Sequence, residues 1–148
     1  MKLLIVDDEK LTREGILKSL PLEKLGIHHT FMADDGVHGL EIALKEKPDL
    51  ILTDVRMPRM SGVEMAEEIL KSLPNAIILF MSAYSDKEYL KAAIKLKAVS
   101  YVDKPLDMNE LTEALAEGIH QYRSMYTSLN AQWMHEGNLR SQLAQLLT

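Results

Sequence analysis

Five polar side chains stand just past apolar runs of this 148-residue sequence: Asp7 and Asp8 after LLIV, Asp54 after LILT, Ser82 after AIILFM, and Lys104 three residues beyond Tyr101. If those runs are parallel strands, their carboxyl ends bring three carboxylates, a hydroxyl and an ammonium to one sheet edge. A hard cation such as Mg²⁺ (or Mn²⁺) takes oxygen ligands, usually one or two carboxylates plus waters and phosphate oxygens. A carboxylate is also a covalent nucleophile toward phosphorus. Phosphoryl transfer spreads charge over the equatorial oxygens, so positioning and electrostatics supply most of the catalysis. The metal and Lys104 would stabilise that charge from two sides, with Ser82 donating to a third oxygen. Asp54 is the candidate phosphoacceptor.

The elements that must position these groups are legible as alternating strand and helix signals, the pattern of a parallel sheet covered on both faces. Strands are predicted at about residues 2–6, 27–33, 50–53, 76–81 and 99–102. Helices are predicted at about 10–20, at 36–47 before Pro48, and at 62–72. A fourth follows a Ser85-to-Glu88 capping box and ends near Leu96, and a fifth starts near Asp107. Right-handed crossovers dominate such connections. Five strands in a chain of this length suit a flavodoxin-like, doubly wound (βα)5 order of 2-1-3-4-5. The acid pair and Asp54 then lie on adjacent strands, as shared metal binding requires.

Taken singly, each residue has an ordinary explanation. An acid pair after a strand is commonly a turn or a helix cap, and a lone serine or lysine in a loop means little. The conjunction is informative, because ligands of open α/β sheets bind where the strands' carboxyl ends meet a topological switch point. The five histidines make no ligand pair of metal-site spacing. Nine methionines are read mainly as core filling, and Met57 and Met60 beside Pro58 as loop residues.

The segments LLIVDDE, LTDVRMPRMSG, FMSAY and YVDKP, in this order and spacing, resemble the signature segments of the receiver domain of bacterial two-component response regulators. The resemblance covers roughly residues 1–120. It implies that Asp54 receives a phosphoryl group from a sensor histidine kinase, and that Asp8, Asp54 and the Arg56 backbone carbonyl ligate Mg²⁺, with Asp7 acting through a water. It further implies that Lys104 pairs with a phosphoryl oxygen, that Ser82 is the switch hydroxyl, and that Tyr101 turns inward when Ser82 moves. Lys104-Pro105 would be a cis peptide, a form essentially confined to X-Pro bonds. Two positions depart from the commonest pattern. Ser61 stands where Asp usually precedes Gly62, yet Ser61 and Glu64 still make a capping box; Lys97 stands where glycine is common, which affects only the turn before the fifth strand. PLEKLGI and LTDVRMPRMSG together are similar to receivers of regulators with an AraC-like helix-turn-helix output.

Composition agrees with a globular domain that has a real core: 47% of residues are apolar. With no cysteine there is no disulfide framework or thiolate site to expect. LLIV is too short for a signal-peptide core, and no run approaches the roughly 18 residues of a membrane span; a reducing bacterial cytoplasm is expected, with no membrane partner. Residues 1–120 carry a net charge of −6 and the remainder +1. A duplex binder would show a clustered basic face, so DNA is expected only through an output domain outside these residues.

Residues 121–148 are read as a helical extension or linker toward such an output. Ile119, Tyr122, Tyr126, Leu129 and Trp133 follow a 3-4 spacing that makes one apolar stripe if the last helix continues. Gly137 and Asn138 interrupt it before Leu139, Leu143, Leu146 and Leu147 make a second. The stripe suggests a homodimer. The leading expectation is a phosphorylation-controlled switch at the N-terminus of a transcription regulator, with a stand-alone receiver as alternative. A haloacid-dehalogenase-type phosphohydrolase is the rival from another class. It needs a second acid two residues after the nucleophile in a D-x-D arrangement, and neither Asp7-Asp8-Glu9 nor Asp54-Val55-Arg56 makes one; Arg56 decides against it.

Overall fold

Short apolar runs become five parallel strands, of which the first, third and fourth are the buried ones: β1 (Lys2–Val6), β2 (His29–Ala33), β3 (Leu50–Asp54), β4 (Ile77–Ser82) and β5 (Val99–Asp103). Their order is β2-β1-β3-β4-β5, as predicted. The structure is a computed structural model and describes residues 1–94 and 99–135. The helices are α1 (Lys10–Ser19), α2 (Leu22–Leu25), α3 (Gly36–Glu46), α4 (Gly62–Ser72), α5 (Lys87–Ile94) and α6 (Met108–His135).

Successive strand side chains point to opposite faces, so each run feeds two cores. Leu4, Val6, Ile51, Ile78 and Phe80 pack with Ala43 of α3 and Met65, Ala66 and Ile69 of α4. Leu3, Ile5, Leu50, Leu52, Ile77 and Leu79 pack with Ile16 of α1 and Leu111, Leu115 and Ile119 of α6. Each such side chain taken fully from water is worth about 1.5–3 kcal/mol. Met57 and Met60 are partly buried against the first core, so these loop methionines do fill space.

The caps follow the sequence in most places. Asp35 Oδ1 accepts the His38 N–H at 2.8 Å and starts α3. Ser61 Oγ accepts the Glu64 N–H at 3.1 Å and starts α4, and Asp107 Oδ1 accepts the Asn109 N–H at 2.8 Å ahead of α6.

One element is added and one local expectation is corrected. The first helix ends at Ser19, as expected, and the LEKL of PLEKLGI forms the separate short helix α2, bounded by Pro21 and by Gly26 at φ 76°. Proline and glycine punctuate both of its ends, and Leu22 and Leu25 pack on the second core. The predicted Ser85 cap is replaced by a 3-10 turn, Tyr84–Asp86, in which Asp86 Oδ2 accepts the Ala83 N–H at 3.3 Å. Asp86 is drawn inward by an ion pair, described below, that local spacing does not reveal.

Helix α6 continues without a break to His135. The side chains of Tyr126, Leu129 and Trp133, the Gly137–Asn138 interruption and the second leucine stripe lie outside the described residues. So do residues 95–98, which include the predicted helix end near Leu96 and the turn at Lys97. Among the described residues no helix is long and apolar enough to cross a membrane.

Strand register places the polar residues. Val6 pairs with Thr53, so Asp7 and Asp54 emerge one step later at matched heights. Asp54 pairs with Met81, and Ser82 with Asp103, so the hydroxyl and Lys104 follow in turn. Helix α4 then returns close to the end of β3: the Gly62 N–H donates to the Val55 carbonyl at 2.8 Å, and a Cβ on Gly62 would overlap the Asp54 carbonyl oxygen. Gly62→Ala is expected to cost about 1–3 kcal/mol by overpacking, read as a lower denaturant midpoint at unchanged slope. A wild-type midpoint would contradict this approach of α4 to β3.

Candidate functional site

The carboxyl ends of β1, β3, β4 and β5 gather Asp7, Asp8, Asp54, Ser82 and Lys104 as the sequence predicts. One carboxylate oxygen from each of Asp7, Asp8 and Asp54 lies within 4.8 Å of the others. Asp7 is fully buried and Asp54 is 8% exposed, whereas Asp8 faces solvent. Lys104 Nζ donates to Asp54 Oδ2 at 3.0 Å and stands 3.9 Å from Asp7 Oδ2. The other Asp54 oxygen, Oδ1, accepts the Val55 N–H at 2.8 Å, which fixes the plane of the carboxylate.

Asp7 is held rigidly. Its Oδ1 accepts the Glu9 N–H at 2.8 Å, and its carbonyl accepts Arg13 NH1 at 2.6 Å. Its Oδ2 is buried with no hydrogen-bond partner among the described residues. Burial pushes the Asp7 carboxyl up to about 6 from 3.8; the Glu9 N–H opposes this, the Asp54 charge adds to it, and Lys104 offsets part. Burial alone would lower the Lys104 pKa, but the hydrogen bond and charge of Asp54, with Asp7 and Glu9, hold it above the ordinary lysine value.

A buried carboxylate oxygen without a partner is costly, and three acids against one nearby ammonium leave an excess of negative charge. An oxygen-seeking divalent cation resolves both. The donor set therefore fits such an ion, and its all-oxygen chemistry fits Mg²⁺ or Mn²⁺ better than a thiolate- or imidazole-seeking metal.

Ser82 is fully buried, and its hydroxyl donates to the Ala83 carbonyl at 3.1 Å. The Lys104 N–H donates to the Ser82 carbonyl at 2.9 Å, which keeps the hydroxyl and the ammonium on adjoining loops. Tyr101 sits on β5 opposite Phe80 and is 41% exposed. The Lys104-Pro105 peptide is cis, as the resemblance implies.

Two ion pairs around the site escaped sequence reasoning. Arg59, in the left-handed region at φ 68°, places NH2 2.7 Å from Asp35 Oδ2. Arg56 Nε donates to Asp86 Oδ1 at 2.5 Å, across 30 residues of sequence. The Asp35 carboxyl is held below the usual carboxylate range, first by the His38 N–H and then by Arg59. The resemblance gives Arg56 only a backbone role, and nothing local points to its side chain's partner.

A family model described as the response regulator receiver domain matches residues 3–116. An uncharacterised response regulatory protein of Staphylococcus epidermidis is 39% identical over 114 residues, covering 77% of this chain and 45% of that protein. Transcriptional regulatory protein HptR of Staphylococcus aureus is 38% identical over 110 residues, covering 74% and 43%. The chain thus spans less than half the length of these relatives. Among solved structures, a two-component transcriptional regulator AraC from Clostridium phytofermentans is 48% identical with a TM-score of 0.78, over 83% of this chain and 98% of that one. The REC domain of AraT, a response regulator from Geobacillus stearothermophilus, is 31% identical with a TM-score of 0.79, over 84% and 97%. Fold, strand-end chemistry and sequence likeness converge, and the chain belongs to the response regulator receiver domain family.

Proposed function

We propose that the chain is a phosphorylation-controlled switch of a two-component system, in which Asp54 accepts a phosphoryl group from a sensor histidine kinase and the resulting change regulates an output, transcription. One observation carries this reading: a nearly buried Asp54 carboxylate, hydrogen-bonded to Lys104 at 3.0 Å, with oxygens of Asp7 and Asp8 within 4.8 Å. An Asp54 oxygen attacks phosphorus in line, the P–N bond of the kinase's phosphohistidine breaks with its electrons passing to the imidazole nitrogen, and an acyl phosphate remains on Asp54.

A divalent cation held by Asp8, Asp54 and the Arg56 carbonyl, with Asp7 through a water, would neutralise developing charge on the phosphoryl oxygens when bound. Lys104 moves its hydrogen bond from Asp54 Oδ2 to a phosphoryl oxygen. The Ser82 hydroxyl turns from the Ala83 carbonyl to a second such oxygen, and Tyr101 follows it inward. Phosphorylation thereby biases a two-state equilibrium. Residues 1–120 are the receiver, and 121–148 lead toward the output; relatives named as transcriptional regulators support that output. The reaction stops at acyl phosphate formation and its hydrolysis, so the chain is a phosphoacceptor with at most self-phosphorylation and self-dephosphorylation activity, at work in the cytoplasm.

Incubation with acetyl phosphate and Mg²⁺ is expected to add one phosphoryl group by intact mass, and neither Asp54→Asn nor chelation of the metal should leave the adduct. An equal adduct on Asp54→Asn would refute the acceptor. Lys104 and Ser82 should separate. Lys104→Ala loses charge stabilisation and slows phosphorylation on the order of a hundredfold, whereas Ser82→Ala still phosphorylates but no longer shifts the NMR signals around Tyr101. Normal shifts in Ser82→Ala would remove the switch role. The extension is expected to pair with a second copy: light scattering should find residues 1–148 dimeric at a concentration where 1–120 is monomeric. Two monomers up to high micromolar concentration would reduce the extension to a linker.

A further inference from the structure

The loop from β3 to α4 is held on both flanks by ion pairs that the proposed chemistry does not use. On one flank Arg59 Nε and NH2 both reach Asp35 Oδ2 at 2.7 Å, at the start of α3. On the other, Arg56 Nε reaches Asp86 Oδ1 at 2.5 Å. This second pair extends further, because Asp86 uses its other oxygen, Oδ2, to accept the Ala83 N–H at 3.3 Å. One carboxylate therefore grips the residue two places after Asp54 and the residue next to Ser82.

Burial makes the grip asymmetric. Asp86 is 3% exposed, while the Arg56 side chain is 69% exposed. A buried carboxylate needs hydrogen bonds and a nearby positive charge to offset its lost hydration, and the Ala83 N–H and Arg56 supply them. The guanidinium itself is packed by little, so its position follows that of Asp86.

We propose that Asp86 is a positioning residue that fixes the spacing between the loop bearing the Arg56 carbonyl and the loop bearing the Ser82 hydroxyl, and transmits motion of one to the other through Arg56. It touches neither phosphoryl group nor metal. This inference rests on the reading of Asp54 as acceptor and of the Arg56 carbonyl as metal ligand.

The test compares Arg56→Met, Arg56→Lys, Asp86→Asn and the double variant Arg56→Met with Asp86→Asn. Three readouts are taken: calorimetric titration of the unphosphorylated protein with Mg²⁺, hydrogen exchange at the Ala83 amide without metal, and the rate of phosphorylation by acetyl phosphate. Arg56→Met and Asp86→Asn should each weaken Mg²⁺ binding about tenfold, as loss of groups that orient a metal's ligands typically does, and speed exchange at Ala83. Arg56→Lys should restore most of the affinity, and the double variant should be no worse than the worse single one, because both act through one pair. Mg²⁺ affinity within about twofold of wild type in the folded single variants, or losses that multiply in the double variant, would overturn the proposal. If Asp86→Asn fails to fold, the two Arg56 variants decide, since that side chain is mostly in solvent. Wild type that binds Mg²⁺ in the expected pattern yet takes no phosphoryl group would sink the acceptor reading alone; normal phosphorylation with unchanged Mg²⁺ affinity in Arg56→Met would sink this one alone.

Discussion

Three carboxylates meet one ammonium at the carboxyl edge of the sheet, and the rest of the site is arranged around that imbalance. Lys104 neutralises Asp54 across a 3.0 Å hydrogen bond. It stands 3.9 Å from Asp7 Oδ2, too far for a hydrogen bond, and that buried oxygen has no hydrogen-bond partner among the described residues. Two unit charges at such distances interact strongly once water is excluded, so this edge favours added positive charge. A cation satisfies it, and a phosphoryl group then finds both the cation and Lys104 in place.

The fold's contribution is register. Parallel pairing of Val6 with Thr53 sets Asp7 beside Asp54, and the next two pairings bring up Ser82 and Lys104. A slip of one residue would turn every strand side chain to the opposite face, which both cores forbid because they fill the two faces with different residues. The apolar runs thus serve the site by refusing any other alignment. The loops need separate restraint, and Gly62, the Arg59–Asp35 pair and the Arg56–Asp86 pair supply it.

Most of this is legible in the amino-acid sequence. Aliphatic runs ending in acid or hydroxyl gave strands and strand ends together, and the Ser61–Glu64 spacing and the cap at Asp107 announced two helix starts. The short helix α2 was hidden because four residues carry too little periodicity, although Pro21 and Gly26 mark its ends. The start of α5 was misplaced because Ser85-to-Glu88 satisfies a local rule, while Asp86 obeys a distant one: its partner is Arg56, 30 residues earlier. Such pairings are set by which loops the sheet brings together, and no local pattern encodes them.

The raised pKa of Asp7, set first by burial and pushed further by the Asp54 charge, reports how far this edge lacks compensating positive charge. Its value of about 6 lies above the ordinary 3.8, so the fold favours its protonated form. That contribution to stability is fully present below pH 3.8 and is lost as pH rises through 6; a bound cation, which competes with the proton, should reverse the trend. Titration of the Asp7 carboxyl carbon by NMR, without and with saturating Mg²⁺, is the measurement. The account expects a midpoint near 6 without metal and a clear fall when Mg²⁺ is present. A midpoint at the ordinary aspartate value that Mg²⁺ leaves unmoved would contradict it.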